Sequence, residues 1–312
     1  MYLQHFKLNE LPFSITPDTS FFMNRAGYQD ALNVLLVALR SGEGFVKVTG
    51  EVGVGKTILC RKLMNSLGAD YVIAYIHNPY IKPDSLLFAI ADALSVPYIE
   101  RVSQHTLLKL ITRSLLDQHS KGKQVVVCLD EVQAMPVQTL ETLRLITNLE
   151  TEKRKLIQVV LFGQPELDSL LNQPSVRQLK QRITFSYRLL PLNRVALISY
   201  IRHRLEIAGY QEKTLFTRRA IELIYRHSMG IPRLINIICH KALISAYGEG
   251  ADKVTHRHVY IAVKDMEETK YSDQSNMKLW FQIWSRWLFG ALGMIGLIVA
   301  GGFLNDIFGL FA

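Results

Sequence analysis

Residues 45–57, FVKVTGEVGVGKT, decide the fold of this chain. An apolar strand runs directly into the pattern G-x-x-x-x-G-K-[ST], which is met by Gly50, Gly55, Lys56 and Thr57. Glycines at these positions let successive backbone N–H groups curl around phosphate oxygens, and the N-terminus of the helix that follows adds a favourable dipole. The stretch therefore predicts a phosphate-binding loop between a strand and a helix.

The individual positions of this loop have distinct predicted roles. Lys56 is expected to hold the β- and γ-phosphates of a bound ATP, and the Thr57 hydroxyl is expected to ligate Mg²⁺. An ordinary glycine-rich turn is the alternative, which the flanking strand and helix disfavour. The predicted nucleotide-binding residues of the loop form one continuous run: Gly50, Glu51, Val52, Gly53, Val54, Gly55, Lys56, Thr57 and Ile58.

A second motif, VVVCLDE at residues 125–131, supplies acidic groups. Five apolar residues before an acidic pair are typical of a buried parallel strand that delivers carboxylates to its C-terminal edge. We expect Asp130 to orient the Mg²⁺ shell and Glu131 to polarise the attacking water as a general base. The two motifs together predict an enzyme that hydrolyses ATP.

The order of apolar segments predicts the architecture. Strand-like segments alternate with helical ones, which indicates an α/β fold with a five-stranded parallel sheet and helices on both faces. Besides the strand that enters the loop, the predicted strands are 71–76, 125–129, 156–162 and 183–189. From Pro191 onward the pattern is helical only, which predicts an all-helical lid domain. The predicted divisions are 1–190 (P-loop domain), 191–268 (lid), 269–286 (linker and juxtamembrane segment), 287–304 (transmembrane helix) and 305–312 (short periplasmic tail).

Residues 287–304 carry no charge and would span roughly 27 Å as a helix, close to the ~30 Å hydrocarbon core of a bilayer. All three tryptophans of the chain cluster at the entry of this segment, as in an interfacial belt. Lys278 and Arg286 flank the same side, so the positive-inside rule places the body of the chain in the cytoplasm. These features predict a single-pass bacterial inner-membrane protein, and a buried core helix is the alternative.

The composition suits a globular protein, with 49% hydrophobic and 20% charged residues. The formal net charge of +9 is compatible with nucleic acid, an anionic membrane surface or ordinary solvated faces. Cys60, Cys128 and Cys239 form no C-x-x-C pair and are expected to be core residues in a reducing compartment. No leader peptide is expected at the amino end.

Several further motifs carry a resemblance to a known family. They are FKL at 6–8, PFSITPD at 12–18, GFV at 44–46, GEVG at 50–53, DEVQ at 130–133, LFGQPEL at 161–167 and GIPRLIN at 230–236. With these motifs the chain resembles the AAA+ ATPases and, more narrowly, the ExeA/GspA group of secretion ATPases, in particular those of MSHA-type (type IV) pilus biogenesis. ExeA-like chains continue into a periplasmic peptidoglycan-binding domain, whereas this sequence ends at residue 312, so cell-wall binding is not expected.

The resemblance implies a membrane-anchored ATPase that drives or switches assembly of an envelope apparatus. Its implied partners are further copies of the same chain, inner-membrane pilus or secretion assembly proteins and an anionic membrane surface. The alternative is an ATP-dependent DNA-binding regulator of the transposition or origin-recognition type, which shares the module and the basic charge. The predicted anchor and the lack of a recognisable helix-turn-helix motif argue against DNA as a partner.

The resemblance also implies roles for residues outside the two motifs. Gln164 falls at the first sensor position, where it would contact the γ-phosphate or the attacking water; a turn residue before a proline is the alternative. Arg233 falls at the second sensor position and would reach the γ-phosphate. Arg182 matches a finger that completes the site of a neighbouring subunit, with Arg177 as its rival, and both could instead be solvated side chains.

Two weaker expectations concern the surroundings of the site. Asn78 could restrain Glu131 until a partner binds. The apolar residues Tyr2, Phe6, Pro12 and Phe13 could wall the adenine or could instead staple the first helix.

Overall fold

A computed structural model describes residues 2–16, 18–23, 26–77, 80–99, 102–147, 149–150, 155–212 and 214–267. Within these ranges no helix is both long and apolar enough to cross a membrane. The predicted transmembrane helix at 287–304, its flanking segments and Asn78 all lie outside the described residues.

The core of the fold is a five-stranded parallel sheet, as predicted. Its strands stand in the order β2-β3-β4-β1-β5. They are β1 Phe45–Gly50, β2 Tyr71–Ile76, β3 Gln124–Leu129, β4 Ile157–Gly163 and β5 Ile183–Leu189. The inner strands β3 and β4 are buried almost throughout because helices cover both of their faces, whereas exposure alternates along the edge strand β5.

Helices surround this sheet and form the lid. The helices around the sheet are α2 Ala26–Arg40, α3 Lys56–Ser66, α4 Pro83–Ala93, α5 Gln104–Ser120, α6 Val137–Ile146, α7 Glu166–Leu171 and α8 Arg177–Lys180. The lid contains α9 Arg194–Ile207, α10 Arg218–Ser228 and α11 Pro232–Gly248, and residues 256–267 are also helical. The short helix α1 Tyr2–His5 packs against the lid. The sequence pattern did not anticipate α1, α7 and α8, which are too short to show a helical period.

Two apolar clusters fill the two faces of the sheet. Along β3, Val125 and Val127 pack into the cluster beneath α4, α5 and α6, whereas Val126 and Cys128 pack into the cluster beneath α2 and α3. This alternation confirms the prediction of helices on both faces. All three cysteines are buried, and none forms a disulfide.

The amino-terminal segment packs with the lid rather than with the sheet. Tyr2, Phe6 and Phe13 are buried in the same apolar cluster as the lid helices. Leu192 lies in the segment that connects β5 to the lid. Its N–H donates to the carbonyl oxygen of Gly230 at 2.8 Å, which attaches this segment to the lid. Gly230 has a φ of +75°, and a Cβ at this position would overlap the Leu192 carbonyl oxygen, so only glycine fits there. The domain division at residue 190 stays a prediction.

The strand register brings the predicted motifs to one edge of the sheet. Thr49 of β1 pairs with Gly163 of β4, and Leu129 of β3 pairs with Leu161 of β4. The segments that follow β1, β3 and β4 therefore leave the sheet side by side, at its carboxyl edge. Ligands of open α/β sheets bind at this edge.

Candidate nucleotide-binding site

The loop between β1 and α3 has the backbone that a phosphate cradle needs. Gly53 and Gly55 have φ values of +82° and +103°, a region that L side chains disfavour. Space is also limiting, because a Cβ on Gly53 would lie 2.7 Å from the Cβ of Arg233, and one on Gly55 would lie 3.1 Å from the Tyr28 hydroxyl oxygen. Both glycines are therefore required by conformation and by their neighbours.

Lys56 is buried at the start of α3 and folds back over this loop. Its Nζ donates to the carbonyl oxygens of Gly50 at 2.8 Å and Glu51 at 3.2 Å. Burial lowers the pKa of Lys56, although the nearby carboxylates of Glu131 and Asp130 oppose this effect. Phosphate oxygens would supply the negative charge that a buried ammonium group favours.

Thr57 and Asp130 form the wall where a cation would bind. The Thr57 hydroxyl donates to Asp130 Oδ2 at 2.7 Å, while Asp130 Oδ1 accepts the Glu131 N–H at 2.9 Å. Hydroxyl and carboxylate oxygens are ligands that Mg²⁺ prefers. Among the described residues there is no group of three or more His, Cys, Asp or Glu side chains that could cage a metal. This donor set fits Mg²⁺, which is usually held by one or two protein groups together with water and substrate phosphates.

Glu131 is held by two side-chain amides. Its Oε2 accepts hydrogen bonds from Gln133 Nε2 at 2.6 Å and from Gln164 Nε2 at 3.0 Å. Gln133 Oε1 in turn accepts the Gln164 backbone N–H at 2.9 Å, which closes the network. The Glu131 backbone has a φ of +54°, an uncommon conformation for a residue with a side chain. Gln164 and the predicted base Glu131 are thus in direct contact.

These contacts set the protonation of Glu131. Burial would raise its pKa, but the hydrogen bonds from Gln164 and Gln133 and the positive charge of Lys56 outweigh burial, so the pKa lies below the ordinary value. Glu131 is therefore ionised at neutral pH. An ionised carboxylate next to the phosphate loop is suited to act as a general base.

The lid closes the site from the other side. The Arg233 N–H at the start of α11 donates to the carbonyl oxygen of Gly53 at 3.1 Å. Between loop and lid lies a cleft of about 380 Å³. The predicted residues that line it are Val52, Gly53, Gly55, Lys56, Thr57, Ile58, Glu131 and Arg233.

Sequence reasoning missed part of this cleft. Its remaining lining residues are Ser14, Ile15, Thr16, Asp18, Tyr200, Arg204, Pro232 and Asn236. None of the residues predicted to wall the adenine, Tyr2, Phe6, Pro12 and Phe13, lines the cleft. Tyr2, Phe6 and Phe13 are instead buried in the apolar cluster of the lid. Their alternative role, stapling the first helix, stays a prediction. Gln133 was also missed, although its position two residues after Glu131 could have drawn attention to it.

Arg182 lies away from the site of its own chain. It precedes Ile183, which pairs with Phe45 at the beginning of β1, whereas the phosphate loop follows the end of that strand. Arg182 and the phosphate loop are therefore separated along the sheet by about five strand residues, or roughly 17 Å. The rival Arg177 begins α8 and is exposed. Neither arginine lines the nucleotide cleft.

Comparison with known proteins agrees with this geometry. Residues 39–171 match the protein family described as AAA domain. This match covers the phosphate loop, Asp130, Glu131 and Gln164. Residues 39–171 are therefore similar to an AAA domain, and the predicted enzyme class, an ATPase, is confirmed.

A particular relative is the General secretion pathway protein A of Aeromonas hydrophila, which is 42% identical over 311 residues. The alignment covers 100% of this chain and 55% of the relative, so the chain spans about half of the relative's length. This alignment confirms the predicted resemblance to the ExeA/GspA group.

Two solved structures share the fold. The Aeropyrum pernix ORC1 protein in complex with DNA has a TM-score of 0.61 and 20% identity, with 86% of this chain and 72% of that chain covered. The ORC2 protein of the same organism, in ADPNP-ADP complexes, has a TM-score of 0.59 and 19% identity, with coverage of 80% and 72%. At this identity the likeness concerns the fold alone.

The amide contacts of Glu131 predict a measurable pKa change. In the double variant Gln133→Leu/Gln164→Leu, burial is no longer opposed by the two hydrogen bonds, so the pKa of Glu131 should rise. Carboxyl-carbon NMR on glutamate-labelled protein would follow the titration, with Glu131→Gln used to assign the signal. Gln138→Leu, an exposed change on α6, should leave the pKa unchanged. An unaltered titration in the double variant would show that the amides do not set this pKa.

Proposed function

We propose that this chain is a membrane-anchored ATPase whose ATP cycle drives or switches assembly of a bacterial envelope apparatus, either an MSHA-type pilus or a type II secretion-like machine. The observation that carries the ATPase chemistry is the placement of an ionised, amide-held Glu131 beside the buried Lys56 and the Thr57–Asp130 pair. The envelope role is supported by the 42% identity to a protein named for the general secretion pathway.

Each residue at the sheet edge has a defined task in this mechanism. Backbone N–H groups of residues 50–57 and the Lys56 ammonium group bind the β- and γ-phosphates of ATP. Thr57 and Asp130 would hold Mg²⁺, which would supply positive charge against the phosphate oxygens. Glu131 accepts a proton from the attacking water. For this step, the water must replace at least one of the two amide groups that donate to Glu131 Oε2. Gln164 is near enough to Glu131 to orient the same water, and Arg233 contacts the γ-phosphate from the lid.

Completion of the site requires a second copy of the chain. Arg182 sits at the amino edge of the sheet, opposite the phosphate loop, and so cannot serve its own nucleotide. A guanidinium group presented to the neighbouring site would stabilise charge on the transferring phosphate. The proposed working form is therefore a homo-oligomer.

The finer proposal concerns place and partners. The sequence motifs resemble those of the MSHA-pilus ATPase MshM, and residues 287–304 have the length and flanks of a membrane span. We place the chain in the bacterial inner membrane with its ATPase domain in the cytoplasm, beside inner-membrane assembly proteins and anionic lipid. DNA is not a proposed partner, since the likeness to DNA-bound structures is limited to the fold.

Two substitutions separate binding from hydrolysis. Lys56→Ala removes the phosphate-binding cation and should abolish detectable ATP binding in calorimetry. Glu131→Gln should keep ATP binding but slow hydrolysis by about 10²- to 10⁴-fold, the usual contribution of a general base. Undiminished hydrolysis in the glutamine variant would remove Glu131 from the mechanism.

The same pair tests the envelope role in cells. In a strain that lacks the native gene, neither variant should restore assembly of the pilus or of secretion, whereas the wild-type gene should restore it. Full assembly with Lys56→Ala would contradict a function driven by ATP.

The finger proposal predicts complementation between inactive chains. Arg182→Ala should lower turnover by up to about 10³- to 10⁵-fold. Mixing it with Glu131→Gln should recover part of the activity, because mixed oligomers contain sites with an intact base and an intact finger. Arg177→Ala is the matched control and should retain turnover. If Arg177→Ala is the inactive variant instead, the finger is Arg177.

The membrane proposal is tested by flotation. Full-length protein should float with vesicles that contain anionic lipid and should stay with them in high salt, because the attachment is hydrophobic. A chain that ends at residue 275 should not float in high salt. Identical behaviour of the two proteins would contradict an anchor at residues 287–304.

A further inference from the structure

Gln133 lies beside the predicted base and uses both ends of its side-chain amide. Its Nε2 donates to Glu131 Oε2 at 2.6 Å, and its Oε1 accepts the Gln164 backbone N–H at 2.9 Å. The side chain therefore joins the Glu131 carboxylate to the main chain that follows β4. Gln133 does not itself line the nucleotide cleft, so an effect of this residue on hydrolysis would act through Glu131.

The backbone of Gln133 is held in place by buried neighbours. Gln133 lies in the middle of a short 3₁₀-helix, Val132–Ala134. Val132 before it and Met135 after this helix are both buried in the apolar cluster beneath α4, α5 and α6. The Met135 N–H also donates to the carbonyl oxygen of Val132 at 3.0 Å. The side chain of Gln133 therefore starts from a fixed point.

The far end of the Gln133 side chain is attached to the end of the sheet. Gly163, the last residue of β4, pairs with Thr49 of β1, so the Gln164 N–H directly follows a paired strand residue. A Cβ on Gly163 would lie 3.3 Å from Gln133 Oε1 and 2.7 Å from Leu167 Cδ2. The lack of a side chain at Gly163 thus leaves room for Gln133 to reach the main chain.

The second amide donor to Glu131 is held less firmly. Gln164 Nε2 donates to Glu131 Oε2 at 3.0 Å, and the part of the chain that the structure describes gives the Gln164 side chain no other hydrogen bond. Displacement of this side chain breaks one hydrogen bond. Displacement of the Gln133 side chain breaks two and leaves the Gln164 N–H without its acceptor, which costs more. The attacking water therefore replaces the Gln164 amide more easily than that of Gln133.

We propose that Gln133 is a positioning residue that holds the Glu131 carboxylate throughout hydrolysis, and that the Gln164 amide is the donor that the attacking water replaces. This inference rests on the proposed ATPase function and deepens it, since it gives different tasks to the two amides that share one carboxylate oxygen. Gln133 fixes the direction of the base, and Gln164 makes way for the water. A base whose direction is fixed in advance has less freedom to lose when it meets its substrate.

The first test places Gln133→Leu on two backgrounds. In the wild type it should lower single-turnover ATP hydrolysis by about 10- to 100-fold, because a misplacement of about 1 Å can cost about 10²-fold. The affinity for ATP, measured by calorimetry, should stay unchanged. On a Glu131→Gln background the same substitution should cause no further loss, because its effect passes through the base. Equal losses on both backgrounds would overturn the proposal.

Gln138→Leu is the matched control, since it makes the same chemical change at an exposed position on α6. It should hydrolyse and bind ATP as the wild type does. Two outcomes separate this inference from the function on which it rests. A wild-type rate in Glu131→Gln would contradict the proposed function itself. A slow Glu131→Gln together with a wild-type rate in Gln133→Leu would overturn only the positioning role.

A second measurement follows the two amides directly and does not depend on hydrolysis. NMR spectra of the full-length wild-type chain, labelled at its glutamine side-chain amides, are compared with and without Mg²⁺ and a non-hydrolysable ATP analogue. Gln164→Leu and Gln133→Leu assign the two signals, with Gln133→Glu as the replacement if Gln133→Leu does not fold. The Gln164 signal should shift and its protons should exchange faster with solvent, whereas the Gln133 signal should stay. A Gln133 signal that changes, or a Gln164 signal that does not, would overturn the proposal.

Discussion

The parallel register of β1, β4 and β3 is the constraint on which the site depends. It aligns the ends of three strands, so the phosphate loop, the Asp130–Glu131 pair and Gln164 leave the sheet side by side. Side chains alternate between the two faces of a strand, and a slip of one residue would exchange the two apolar clusters that cover the sheet. The same burial that fixes the register therefore also fixes the distances between the phosphate loop, the acidic pair and Gln164.

The lid adds the second half of the cleft and ties it to the first. A backbone hydrogen bond from the Arg233 N–H to the Gly53 carbonyl oxygen joins α11 to the phosphate loop. The positive φ of Gly53 and its lack of a side chain allow the loop to approach the lid this closely. The main chain of the phosphate loop is thus in direct contact with the start of the lid helix α11.

The sequence predicts best what is local. The bounds of β2 and β5 agree with the predicted segments because each is a short run of apolar or alternating residues between turn signals. The phosphate loop and the Asp130–Glu131 pair could be predicted because each motif directly follows an apolar segment that is typical of a strand. The contacts of Arg204 with Pro12, 192 residues away, and of Gln164 with Glu131 join segments distant in sequence, and no local pattern encodes them. The roles of Arg182 and of residues 287–304 stay predictions.

The amino-terminal segment has a mechanical consequence. Residues 2–13 share a core with the lid, so the chain passes between lid and sheet twice, once before α2 and once after β5. A rigid body joined at two points turns about the line through them and has little freedom to slide. Two chain connections restrict the lid more than one would, and we expect a probe attached to the amino terminus to move with the lid.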